Sequence, residues 1–83
     1  MMPRYFFNVH LGKDVLGDPE GRELRDADQA WEAARAMAQS LLGTEFPQPI
    51  NWAACHIEVK DETGGIVLEF PILEALQVTR DAD

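Results

Sequence analysis

"RYFFNVHL", residues 4–11, decides the fold, because its side chains sort into two faces at a period of two. Tyr5, Phe7, Val9 and Leu11 fall on one side, and Arg4, Phe6, Asn8 and His10 on the other. Aromatic and β-branched residues suit a pleated, half-buried surface. The stretch reads as the first strand of a small core. Outward from it, Gly12-Lys13-Asp14 turns the chain, and Val15-Leu16 pairs back. "GDPEG", 17–21, is turn chemistry, since proline presets φ and glycine accepts positive φ. Arg22 to Leu24 extends the second strand, which then runs over 15–24.

A helix follows over 27–42. Asp26 is its N-cap, and Gln29 three residues later completes a capping-box pattern. Ala27, Ala30, Trp31, Ala34, Met37, Ala38, Leu41 and Leu42 recur at helical spacing on one face. The centre of that stripe is mostly alanine, which lets the helix lie close on a sheet. Gly43 is the expected C′ residue.

"TEFPQPINW", 44–52, carries two prolines and makes an extended connection. Over 53–60 the alternation returns. Ala53, Cys55, Ile57 and Val59 point one way, and Ala54, His56, Glu58 and Lys60 the other. "DETGG", 61–65, is a hairpin loop, and 66–72 is the last strand, with Ile66, Leu68, Phe70 and Ile72 inward. Pro71 belongs at the end of a ladder or at an edge. "ILEAL", 72–76, is a short helical turn, and residues 79–83 fray. The expectation is one α+β domain over 1–83, ordered β-β-α-β-β: a small antiparallel sheet with one amphipathic helix on one face.

Eighty-three residues leave room for a single core of modest stability, which dimerisation would raise. Fifteen acids against seven bases give a formal charge of −8. So few, scattered bases argue against nucleic acid and against an anionic membrane surface. A protein partner with a basic surface fits this charge. The lone Cys55 leaves no internal disulfide and suits a reducing compartment. With no signal-peptide pattern and no apolar run of about 20 residues, the cytoplasm is the expected location.

The chain resembles a family of short bacterial proteins known only as a domain of unknown function, whose members begin M-P-R-Y-F-F. Those residues are Met2-Pro3-Arg4-Tyr5-Phe6-Phe7 here, with His10 a little further on. The similarity continues through Asp18-Pro19-Glu20-Gly21-Arg22-Glu23-Leu24, the alanine-rich Ala30–Ala38, Val59-Lys60-Asp61-Glu62-Thr63-Gly64 and the closing "FPILEAL". It departs in the proline-rich loop and in carrying Met1 before Met2. The resemblance implies a stand-alone bacterial domain and brings no activity, cofactor or catalytic residue. At fold level, the strands leading into "ELRDADQAWEAA" are similar to antitoxin domains with a partial ribonuclease-H-like sheet. That analogy implies an acidic regulatory partner of a basic protein.

No nucleotide loop, serine elbow or acid–base–oxyanion set is present in the sequence, so neither a cofactor nor an enzyme is expected. His10 and His56 share the face opposite the helix and are the only metal candidates, though zinc wants three or four ligands. Cys55 and His56 point to opposite faces and make no nucleophile–base pair. The acids Asp18, Glu20 and Glu23 do not follow calcium-loop spacing. The uncovered sheet face is more informative. Phe6, His10, His56 and Val67 on that face, with Trp52 beside it, are the interface candidates. They predict a non-enzymatic interaction module, homodimeric through the open face or an edge strand.

Overall fold

A computed structural model describes residues 2–76. Five strands and one helix follow in order: β1 (Arg4–Leu11), β2 (Asp14–Leu16), β3 (Arg22–Glu23), α1 (Ala27–Leu42), β4 (Cys55–Lys60) and β5 (Ile66–Pro71). Every pairing is antiparallel, in the order β2-β1-β4-β5, and β3 pairs with β1 further along the edge that β2 occupies. This is the expected two-layer α+β arrangement. Residues 77–83, which include the tail expected to fray over 79–83, lie outside the described residues.

The register explains the core. Phe7 stands opposite Val59 and Val59 opposite Leu68; Val9 stands opposite Ile57 and Ile57 opposite Phe70. On α1, Ala30, Ala34 and Ala38 are fully buried against this layer. A side chain of one carbon lets the backbone approach the sheet closely, as the alanine stripe predicts. Trp31 closes the flank, its ring edge-on to Phe70 at 5.6 Å with the Arg35 guanidinium 5.9 Å over it. Residues 72–76 form a 3₁₀ turn that plants Ile72 and Ala75 in the same core. These residues therefore cover the helix-side face and not the open one.

The helix begins as predicted: Asp26 Oδ1 accepts from the Gln29 backbone N–H at 3.0 Å. Gln29 Oε1 reaches back to the Arg25 N–H at 2.7 Å, one residue before the cap. At the other end Gly43 follows Leu42, the last helical residue. Gly43 has φ −89°, so its end is not closed by a left-handed residue. Instead Gly43 N–H donates to Gln39 O, while Thr44 donates to Leu41 O through its N–H and to Ser40 O through its hydroxyl.

The second strand is corrected, because 15–24 is two short strands separated by the 17–21 turn. Where the ladder breaks, the Phe7 N–H has no strand partner, and Asp18 Oδ2 accepts it at 3.1 Å. Asp18 Oδ1 takes the Gly21 N–H at 3.1 Å, and the Asp18 N–H donates to Asn8 Oδ1 at 3.0 Å. Burial works against the Asp18 charge. Backbone donation from Phe7, Gly21 and Glu20, with the Arg22 charge, outweighs it and holds the carboxyl below its ordinary pKa. Gly21 has φ +72°, and a Cβ there would meet the Phe6 ring at 2.8 Å and the Tyr5 carbonyl at 2.9 Å. Only glycine fits.

Two further boundaries move. Residues Trp52–Ala54 form a 3₁₀ turn, so β4 begins at Cys55, and Ala53 and Ala54 are exposed outside the sheet. In β5 the register shifts by one: Val59 pairs with Leu68 but Lys60 with Ile66, leaving Val67 as a bulge residue. The bulge turns Ile66 out to 55% exposure, whereas Val67 packs against the core.

Two glycines give a direct comparison. Gly21→Ala forces a left-handed alanine into an occupied space and is expected to lower stability by about 1–3 kcal/mol. Gly43→Ala, with negative φ and ordinary contacts around its Cβ, is expected to change it by less than about 1 kcal/mol. Thermal unfolding of both variants checks the contrast, and equal losses contradict it.

Candidate functional site

Because α1 and residues 72–76 lie on one face, the opposite face presents the even residues of β1 and β4. The register arranges them in rows across the sheet. Arg4 stands opposite Glu23; Phe6 opposite Lys60, then Ile66; Asn8 opposite Glu58, then Glu69; and Val15 opposite His10, then His56 and Pro71. His10 and His56, the two predicted face histidines, are therefore direct cross-strand neighbours. Their rings stack at 4.4 Å between centroids and 8° from parallel.

Glu58 is the hub of this face. His10 Nε2 lies 3.4 Å from Glu58 Oε1, and Lys60 Nζ lies 3.8 Å from the same oxygen. An ionised carboxylate only accepts, so Nε2 carries the shared proton. Asn8 stands opposite Glu58, and its side-chain oxygen takes the Asp18 N–H, which ties the face to the edge turn. Burial again opposes the charge. The His10 and Asn8 hydrogen bonds, with the Lys60 and His10 charges, prevail and hold Glu58 below its ordinary pKa. Glu69 sits directly across from Glu58, a like-charge pairing that Lys60 and His10 offset.

The predicted candidates separate once placed. His10 and His56 stand together on the face. Phe6 is on that face too, but its half-buried ring lies against Gly21 and so has a structural duty. Val67 leaves the candidate set, since the bulge packs it against the core and puts Ile66 in the face row. Trp52 leaves it as well: it packs against the core, edge-on to Phe46 at 5.7 Å. Asn8, Glu58 and Lys60 stand on the face beside these candidates. Their alternation with core positions was the signal in the sequence.

The chemistry the face can do is bounded by this geometry. Lone pairs of stacked imidazoles lie in parallel planes and do not converge on one ion. Among the described residues, no three His, Cys, Asp or Glu side chains are grouped to hold a metal. Cys55 is buried on the core side, its Sγ 3.3 Å from the Asn51 carbonyl that accepts its proton, and His56 is on the other face. Of the acids along this edge, Asp18 accepts from backbone amides, and Glu23 in β3 pairs with Arg4 at 3.1 Å. No helix among the described residues is long and apolar enough to cross a membrane.

The architecture thus defines a class, a two-layer α+β domain with an antiparallel sheet open on one side. Residues 4–74 match the family described as a domain of unknown function (DUF6894), and the chain belongs to that family. No curated protein and no solved structure is significantly similar to it.

The depressed Glu58 carboxyl has a stability consequence with a definite sign. Its folded pKa lies below the unfolded value, so its contribution is full above about pH 4.5 and fades as pH falls through the folded value. The stability gap between the native protein and Glu58→Gln is therefore expected to narrow from about pH 6 to about pH 3. Urea unfolding across that range checks it, and a constant gap contradicts the assignment.

Proposed function

We propose that the domain is a non-enzymatic interaction module of the bacterial cytoplasm that pairs with a second copy of itself. The observation that carries this reading is that one helix covers one face of a four-strand-wide sheet, while both edges are blunted. On one edge, β2 and β3 are three and two residues long and are pinned by Asp18. On the other, β5 carries a bulge at Val67, the charge of Glu69 and then Pro71. Short strands, bulges, charges and prolines are the usual means of preventing strand addition at an edge. Of the two routes that the sequence suggests, the open face is therefore the better supported. The buried, unpaired thiol of Cys55 fits a reducing compartment.

A second reading, an acidic partner of a basic protein, draws on the formal charge of −8 and on the exposed Asp28 and Glu32 early in α1. It is the weaker of the two, because net charge alone speaks to solubility.

The face is about four strands wide at about 5 Å each and about 20 Å long, a flat footprint on the order of 400 Å² per copy. That places the dimer at the small end of specific interfaces, with self-association expected in the micromolar range. Sedimentation equilibrium from about 1 to about 500 µM should show a shift from 9.3 kDa to twice that mass. A single 9.3 kDa species throughout overturns the proposal.

A further inference from the structure

We infer that the two copies stack open face to open face about a two-fold axis crossing β4 at Val59, so that Lys60 of each meets Glu58 of the other. The inference rests on the self-association proposed above and specifies its geometry. A two-fold axis lying between the sheets and across the strands reverses strand direction while keeping each strand over its own copy. Isologous contacts of this kind are the commonest way for one chain to pair with itself.

The charge pattern selects where that axis crosses. The Lys60 row carries a cation, and the neighbouring row carries the carboxylates of Glu58 and Glu69, while Arg4 is already paired with Glu23 across its own row. An axis at Val59 lays the Lys60 row over the partner's Glu58 row, and the reverse contact follows by symmetry. It also brings Phe6 over the partner's Asn8. An axis at Glu58 would instead lay each carboxylate row on its own copy, placing four like charges together. An axis at Lys60 would set the two Lys60 side chains, one from each copy, against each other. Of these three crossings, the one at Val59 sets a cation against a carboxylate at the centre of the face.

The contact also addresses a need visible within one copy. Glu58 and Glu69 are directly opposed across β4 and β5. The Lys60 of the same chain lies 3.8 Å from Glu58, longer than a tight ion pair, and is 38% exposed along its side chain. A second lysine arriving from above gives the carboxylate pair a further cation without displacing the first. Facing sheets cross at about 30°. One residue from the axis, at about 3.3 Å, this rotation displaces a side chain by under about 2 Å, so the Lys60–Glu58 pairing survives the twist.

The test is a charge-pattern experiment on the full chain. In Glu58→Lys, two lysines on β4 face two lysines of the partner; in Lys60→Glu, two glutamates face two. Each variant alone is expected to dissociate at least about tenfold more readily than the native protein. An equimolar mixture should recover native-like association as a heterodimer, because lysines now face glutamates. Circular dichroism and thermal unfolding of each variant establish that it is folded, and the mixture supplies the readout that a merely structural role would not move. Homodimers of both variants as tight as the native one overturn the axis while leaving self-association standing. Weakened variants that do not recover on mixing also overturn it. A native protein that never associates overturns this inference together with the function it rests on.

Discussion

The close approach of α1 to the sheet is the constraint on which the rest of the molecule depends. Ala30, Ala34 and Ala38 are fully buried because nothing bulkier stands between the helix backbone and the layer of Phe7, Val59, Ile57 and Phe70. A 16-residue helix is about 24 Å long, and a helix is about 10 Å wide. A four-strand-wide sheet is about 19 Å across. One helix thus leaves part of its own face uncovered. That remainder is filled by Ile72 and Ala75 after the last strand, and by Ile50 and Trp52 from the proline-rich loop. These segments pack against the helix-side core, and the other face is left to its own charges.

Those charges form a connected system with the edge. Asn8, opposite Glu58 in the ladder, holds the Asp18 N–H with its side-chain oxygen. The same Asp18 satisfies the Phe7 amide at the break between β2 and β3. A broken edge strand normally leaves buried backbone donors without partners, at a cost of about 1–3 kcal/mol each. Here a carboxylate replaces the missing ladder, and Gly21 lets the Phe6 ring lie flat over the turn. The D-P-E-G turn is therefore a structural device. Its Asp18 carboxylate is occupied in holding the Phe7 and Gly21 backbone amides.

How much of this was legible in the sequence follows from how local each feature is. The helix over 27–42 and its Asp26 cap were readable in full, because helical periodicity and capping are decided within a few residues. The two faces of β1 and β4 were readable for the same reason. The bulge at Val67 was not, since strict alternation carries no sign of the register that a neighbouring strand imposes. Trp52 looked like a surface anchor because sequence cannot show that Phe46 folds back beside it. Both histidines could be assigned to the open face. Their stacking needed the strand order, which puts His10 and His56 in direct register. Gly43 carried the right residue type for a left-handed end, yet Thr44 supplies the bonds that close the helix.

We propose that the uncovered sheet face is where this chain meets its own copy. Isotope-filtered nuclear Overhauser spectra of a mixed dimer, one copy labelled and one not, test it most directly. The account predicts contacts between copies from the Lys60 side chain to the partner's Glu58 and from Phe6 to the partner's Asn8. Contacts confined to the outer edge of β5 or to the exposed side of α1 would contradict it.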